Sequence, residues 1–497
     1  LQPSIITALS RQFEKQPDAL ALIGESHTLT YQDLGRAIEQ VGALLSTFPA
    51  KKLGLALDNS PLWAVLDLAG LATGKVIIPL PFFFSAEQIA HSLTDAGISC
   101  ILTDQPDLYQ TILAASGIET TATFTHVISG QEITEIRLGN IPARELPAGT
   151  VKVTYTSGTT GHPKGVCLGS DALYSVAISL LAATRGNISD NHVSVLPLST
   201  LLENLAGVYV PLLAGAACHL LPLAAVGLSG SSGLDVQKML GVLIKYHATT
   251  TILTPQLLHA AVAAIEAGHP KPAQLRFCAI GGASVSERLL LRAEKLGIPV
   301  FEGYGLSECA SVVSLNTETC RRIGSVGKPL PHISLKFNED GEILVAGATL
   351  LGYTGCEPVP EFWPTGDIGH LDDDGFLHLS GRKKNIFITS FGRNVSPEWV
   401  ERELTLHPAI AQAAVFGEAR PWNVAVIVPR GDASAVDQAI AEANHVLPDY
   451  AQVKNWLPAK APFLPQNGQL TANGRLKREA IWTQYQTTIE QLYYNND

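Results

Sequence analysis

From Tyr155 to Val166 the chain reads YTSGTTGHPKGV, a run of hydroxyls and glycines that ends on a single lysine. Gly158 and Gly161 let backbone amides converge on an anion without side-chain obstruction. Ser157, Thr159 and Thr160, next to Thr156, add neutral donors, and Lys164 supplies a mobile positive charge. That combination suits a polyphosphate. It is not a Walker loop, because Gly165 follows Lys164 where Ser or Thr would ligate a metal, and VCL continues as a strand where a helix would open. Taken alone, the loop also reads as a glycine-rich hairpin with no ligand.

The elements that must position this loop belong to a large chain. At 497 residues two or more domains are expected. With 46% hydrophobic and 16% charged residues, the composition predicts a well-buried interior and excludes a disordered chain. A net charge of -11 gives no basic footprint for nucleic acid. Cys100, Cys167, Cys218, Cys278, Cys309, Cys320 and Cys356 form no CxxC pair, so neither a zinc cluster nor a disulfide framework is indicated, and a cytoplasmic location is expected. The first residues, LQPSIITALSRQFEKQPDALAL, do not read as a signal peptide, and the missing initiator Met points to processing or trimming. Leu205 to Leu228 carries no Asp, Glu, Lys or Arg, which raises a membrane span. Pro211, Pro222 and the absence of flanking aromatic or basic anchors favour a buried helix followed by a buried strand, able to wall an apolar substrate tunnel.

Strand and helix signals alternate along the chain. YQDLGRAIEQVGALLSTF places Leu34, Ala37, Ile38, Val41, Leu44 and Leu45 on one helical face. KLGLAL reads as a strand, Asn59-Ser60-Pro61 as a helix start, Gly74 as its stop and VIIPL as the next strand. Ser85 and Gln88 stand at capping-box spacing before ISCILT. TTTILTPQLLHAAVAAI and LRFCAIGGASVSERLLLRAEKLGIPVFEGYG repeat the theme, and their turns lie where open α/β sheets bind ligands. The short strands GEILVAG and GFLHLSG lead to the polar run GRKKN, which is read as a hinge near Gly381. The expected class is therefore α/β, with layered sheets in a large N-terminal part and a small α+β domain after the hinge.

YTSGTTGHPKGV, EGYGLSE, PTGDIG and GRKKNIFITSFGRNVSPEWVE, in this order, resemble the motifs of the adenylate-forming superfamily of acyl-CoA synthetases, peptide-synthetase adenylation domains and luciferases. The similarity spans nearly the whole chain and lies closest to fatty acyl-CoA synthetases. It implies an N-terminal core over 1–383 that binds ATP and acid and includes a small β-rich subdomain, and a mobile C-terminal lid over 384–497. It also implies a two-step reaction: a carboxylate attacks the α-phosphate of ATP to give acyl-adenylate and pyrophosphate, and a thiol then displaces AMP.

Under this resemblance Thr156 through Lys164 clasp the β- and γ-phosphates, Glu308 ligates Mg²⁺, and Ser307 touches the α-phosphate. Tyr304, between Gly303 and Gly305, offers a face to adenine, and Gly281, Gly282 and Ala283 permit backbone approach to its edge. A core tyrosine is the plainer reading of Tyr304. Asp367 accepts both ribose hydroxyls, since a carboxylate is acceptor-only; a turn-capping aspartate is the alternative. Arg382 approaches ribose or phosphate from the hinge. Lys384 occupies the pivot position and otherwise reads as a solvated lysine. The pivot would carry the segment with Gly392 towards a thiol tunnel.

Two positions depart from the pattern. LTANGRLKRE has Arg475 where the family carries the lysine that bridges the acid and the α-phosphate, and an arginine fork is not equivalent to an ammonium. Lys477 is the other candidate, although Gly474 favours Arg475. In LPLSTLLENLAG, Thr200 stands where long-chain enzymes usually have His, and Glu203 matches their glutamate; both are assigned to the acid pocket. No FDxS-like aspartate follows to pair an amine, and a buried amine without a counter-charge is costly, so a medium- or long-chain fatty or other apolar acid is expected. The thiol belongs to CoA or to the phosphopantetheine of an acyl carrier protein. An enzyme with an impaired or different second step, a P-loop-type NTPase and a nucleotide-binding pseudoenzyme scaffold are the competing classes.

Overall fold

The computed structural model describes residues 4–156, 163–229, 233–355, 358–471 and 474–494. The local signals that start and stop helices explain how its layers are cut. Thr30 and Asp33 form a reciprocal capping box before Tyr31–Ser46, whose buried face carries Leu34, Ala37, Ile38, Val41 and Leu45, with Leu44 at the margin. Ser60 caps Pro61–Thr73, Pro61 fills the first turn, and Gly74 ends the helix at φ +67°. Ser85 and Gln88 close a second capping box, at 3.2 Å and 3.0 Å.

Among the described residues, two large sheets build the N-terminal domain. In the eight-stranded sheet, Lys52–Ala56, Val76–Pro79 and Cys100–Thr103 run parallel, and Thr150–Thr156 pairs antiparallel with Lys164–Gly169. The strand after Lys164 therefore forms a hairpin, with Thr156 opposite Lys164, and no helix opens there. In the nine-stranded sheet, Asn191–Val193, Thr250–Leu253, Phe277–Ile280 and Val300–Tyr304 are parallel. The C-terminal ends of the last two lead directly into Gly281 and Gly305. A four-stranded antiparallel sheet, from Ile333–Phe337 to Leu377–Arg382, forms the β-rich subdomain. The smaller C-terminal domain packs Pro397–Thr405, Ala433–Val446 and Arg478–Tyr494 around a three-stranded sheet. The fold is thus α/β, with a large N-terminal domain and a small C-terminal one.

The long uncharged segment differs in detail from the expected helix and strand. Glu203–Tyr209 is a π-helix, Val210–Ala214 a short α-helix, and Ala217–His219 a strand. Pro211 lacks the N–H that would continue regular bonding, and Val210 N donates to the carbonyl five residues back, at Leu205. Polar groups hold the wide turn. Lys152 is 1% exposed, and its Nζ donates to Asp67 Oδ1 and Asn204 Oδ1, both at 2.5 Å, and to Tyr209 Oη at 3.0 Å. Tyr209 Oη and Asn204 Nδ2 in turn donate to Asp67 Oδ2. Burial lowers the Lys152 pKa from the usual lysine range, and Asp67 opposes that shift. Among the described residues no helix is long and apolar enough to cross a membrane.

Candidate active site

A continuous cleft of about 1860 Å³ runs between the two domains and along the nine-stranded sheet. Thr156 and Lys164 enter it from the ends of the hairpin, and Gly281, Gly282 and Ala283 from the turn after Phe277–Ile280. Gly303, Tyr304, Gly305, Ser307 and Glu308 line it where Val300–Tyr304 ends, and Arg382 and Lys384 line it at and just past the end of Leu377–Arg382. Ser157, Gly158, Thr159, Thr160 and Gly161 lie outside the described residues.

Gly305 is required by close approach: a Cβ there would stand 1.6 Å from the carbonyl oxygen of Ser311. The tight return holds Ser307–Cys309 in a short 3-10 turn, with Glu308 half-buried at the cleft wall. Tyr353 Oη donates to Glu308 Oε1 at 2.9 Å. The Lys164 ammonium lies 5.3 Å from the centre of the Tyr353 ring.

Tyr304 and Asp367 are bound to each other at the cleft wall. Tyr304 is 8% exposed and sits in an apolar cluster with Cys309, Val313 and Ile343, so only part of its ring meets the cleft. Its hydroxyl donates to Asp367 Oδ2 at 2.7 Å, while Arg382 Nε holds Oδ1 at 2.7 Å. Asp367 is 5% exposed and lies behind the wall, with both oxygens engaged by protein partners. Burial raises its pKa and the Arg382 guanidinium opposes that. Each oxygen retains a lone pair, so the carboxylate can accept from a further donor without losing either partner.

Arg475 reaches the cleft from the small domain, where Nη2 donates to the Gly282 carbonyl at 3.3 Å. It keeps contact with the water of the cleft, yet the surrounding walls remove enough hydration to lower its pKa, helped by Arg382 and opposed by Asp367 and Glu308. Burial lowers the Lys384 pKa as well, reinforced by Arg382 and Arg475 and opposed by Glu398. Three cations thus crowd one wall, an arrangement that favours a polyanion. Lys477 is not on the cleft; its backbone N–H donates to the Gln469 carbonyl instead. Gly392 is exposed on the turn between Phe387–Ile388 and Asn394–Val395, away from the cleft wall.

Beside Thr200 the cleft is lined along the sheet and the π-helix by Leu202, Ala206, Val210, Pro211, Phe277 and Ala279, with the polar His192, Thr250 and Arg276 lining the same cavity. Thr200 faces it, with Oγ1 donating to the Pro197 carbonyl at 2.7 Å. Glu203 does not: it is fully buried, and His192 Nε2 donates to its Oε1 at 3.1 Å. Gly207 leaves room for this pair, since a Cβ there would stand 2.3 Å from Glu203 Oε1. The assignment of Glu203 to the pocket wall is therefore replaced by a place behind it. The spacing TLLE signals a helix but not which of its faces the sheet covers.

Sequence reasoning overlooked Tyr353 and Trp363, whose rings meet edge-on at 5.6 Å in the cleft wall. The only signal was an aromatic beside Gly352, with no spacing that tied it to Glu308.

Comparison with known proteins supplies the family. Residues 9–353 match the model of the AMP-binding enzyme family, and residues 384–497 match that of the AMP-binding enzyme C-terminal domain. The chain is 27% identical to the long-chain-fatty-acid–CoA ligase FadD15 of Mycobacterium bovis, over 87% of this chain and 86% of that protein. The anthranilate CoA ligase AuaEII in complex with anthranoyl-AMP shares the fold, with a TM-score of 0.79 at 19% identity over 97% of both chains. So does the o-succinylbenzoate CoA synthetase of Bacillus subtilis in complex with ATP and magnesium ion, with a TM-score of 0.74 at 24% identity over 95% of this chain and 98% of that one. The chain belongs to the AMP-binding enzyme family.

Proposed function

We propose that the chain is an AMP-forming acid–CoA ligase. The observation that carries this reading is the cleft itself, in which Lys164, Arg382, Lys384 and Arg475 surround a space that continues along Leu202, Ala206, Val210 and Phe277. Cations at one end suit a triphosphate, and apolar side chains at the other suit the body of an organic acid.

In the first step a carboxylate oxygen bonds to the α-phosphorus of ATP and pyrophosphate leaves. In the second, a thiol sulfur bonds to the acyl carbon and AMP leaves. Arg475 orients the two anions and offsets the charge that builds between them, while Lys164 holds the outer phosphates. Asp367, beside Arg382, takes the ribose hydroxyls, and the turn at Gly281 and Gly282 edges the base. Glu308 fits Mg²⁺, being a hard oxygen donor on the wall of a roomy cleft; Mg²⁺ needs only one or two protein carboxylates beside phosphate oxygens. When bound, that ion neutralises phosphate charge. Between the steps the domain over 384–497 turns about Lys384, which brings the exposed turn at Gly392 towards the acyl group.

The acid is fatty or otherwise apolar: the cleft walls offer Leu202, Val210, Pro211 and Phe277 to it. The fatty-acid name of one relative agrees with this, while the anthranilate and succinylbenzoate of the two structures mark how widely the pocket varies.

Acid-dependent exchange of labelled pyrophosphate into ATP tests the reading. Exchange that rises with acid chain length, with AMP as the nucleotide product, is expected. ADP formation would indicate a kinase-like enzyme, and no turnover with any acid would indicate a scaffold. Adding CoA or a holo carrier protein to the same reaction then identifies the thiol.

A further inference from the structure

Tyr353 stands where three parts of the cleft meet. Its short strand pairs antiparallel with the strand that begins at Lys164, with Tyr353 opposite Val166. Three residues earlier, the Leu350 N–H donates to the Glu308 carbonyl. One piece of backbone therefore fixes the separation between the lysine and the glutamate. The Tyr353 side chain completes the link, its hydroxyl on Glu308 Oε1 at 2.9 Å and its ring 5.3 Å from the Lys164 ammonium. Trp363, edge-on at 5.6 Å, limits the orientations open to the ring.

An ammonium and a carboxylate that share a cleft attract one another, and a direct pair would neutralise both groups before a nucleotide arrived. Among the described residues Lys164 and Glu308 do not pair; each is occupied by a different part of Tyr353. The ring face holds the cation weakly enough to be given up to phosphate oxygens, which form stronger charge-assisted bonds. The hydroxyl leaves Glu308 Oε2 for another partner while fixing the plane of the carboxylate.

We propose that Tyr353 is a positioning residue for the magnesium–triphosphate complex: its hydroxyl aims Glu308, and its ring keeps Lys164 from collapsing onto that carboxylate. The proposal rests on the reading of Glu308 as the magnesium carboxylate.

The test is equilibrium binding of an unreactive α,β-methylene ATP analogue to the full chain, measured by calorimetry over a series of Mg²⁺ concentrations. Tyr353→Phe keeps the ring and loses the hydroxyl. It is expected to raise the half-saturating Mg²⁺ concentration about tenfold, as loss of a partner to a metal ligand does. At saturating Mg²⁺ its affinity for the analogue should stay within a factor of about two, because the cation–ring contact survives. Tyr353→Leu removes both contacts and should weaken binding even at saturating Mg²⁺. Glu308→Gln separates the two levels of the argument. If Glu308→Gln shifts the Mg²⁺ dependence and Tyr353→Phe does not, the positioning role is overturned while the reading of Glu308 stands. If Glu308→Gln leaves it unchanged, that reading falls and the proposal falls with it. A Tyr353→Phe protein that loses affinity equally at every Mg²⁺ concentration would assign Tyr353 a merely structural role and also overturn the proposal.

Discussion

Replacing Arg475 with alanine is expected to lower acid-dependent pyrophosphate–ATP exchange by about 10²–10³-fold, the usual effect of removing one group aimed at developing charge. Arg475 is a cation that the small domain brings to the Gly282 turn, at 3.3 Å, whereas Arg382 already holds Asp367. Although open to the cleft, it is partly desolvated by the walls around it, which strengthens its field at the point of attack. Arg475→Lys should keep or raise the rate, since a compact ammonium reaches the same place with freer geometry. Exchange unchanged in the alanine variant would remove Arg475 from the reacting centre and leave Lys477, which points away from the cleft, without support as its substitute.

Lys152→Met should produce the largest loss of stability. Removing one partner of a buried ion pair costs about 3–5 kcal/mol, because the other charge is left uncompensated. Here Asp67 would remain fully buried, and Asn204 and Tyr209 would lose the ammonium that anchors the π-helix. Since Ala206 of that helix lines the cleft, the proposed function further predicts that the surviving protein binds long acids less selectively. Urea unfolding monitored by circular dichroism checks the first expectation. The double variant Lys152→Met/Asp67→Leu should recover part of the loss, as apolar replacement of both members of a buried pair often does. A single variant that unfolds at the parent urea concentration would show that the network does not carry the wall.

What could be read in advance divides by distance along the chain. Ser60, Pro61, Gly74 and the Ser85–Gln88 box act within one helical turn, so their consequences were legible from spacing. The strand that continues from Lys164 was legible too, because the apolar run VCL at 166–168 follows where a Walker loop would open a helix. The contacts that were not foreseen join distant positions. Lys152 meets Asp67 across 85 residues, Tyr304 meets Asp367 across 63, and Tyr353 meets Glu308 across 45. In a single sequence such partners leave no periodic trace. A lysine inside VKVTYT looks like one outward position of a strand, and only the layer packed above it turns it into a buried cation. The motif tyrosine and aspartate illustrate the same limit. Their residue types suggested ligand contacts, while their pairing with each other and with Arg382 depends on how the β-rich subdomain closes over the sheet.

The central claim is that one cleft brings the nucleotide's phosphates and the acid together between Lys164, Glu308 and Arg475. A crystal structure of the chain with an unreactive acyl-adenylate analogue tests it most directly. The account predicts the phosphate within hydrogen-bonding reach of Arg475, the ribose on Asp367, and the acyl group beside Ala206. An analogue bound outside this cleft, or with its acyl group turned away from Ala206, would contradict it.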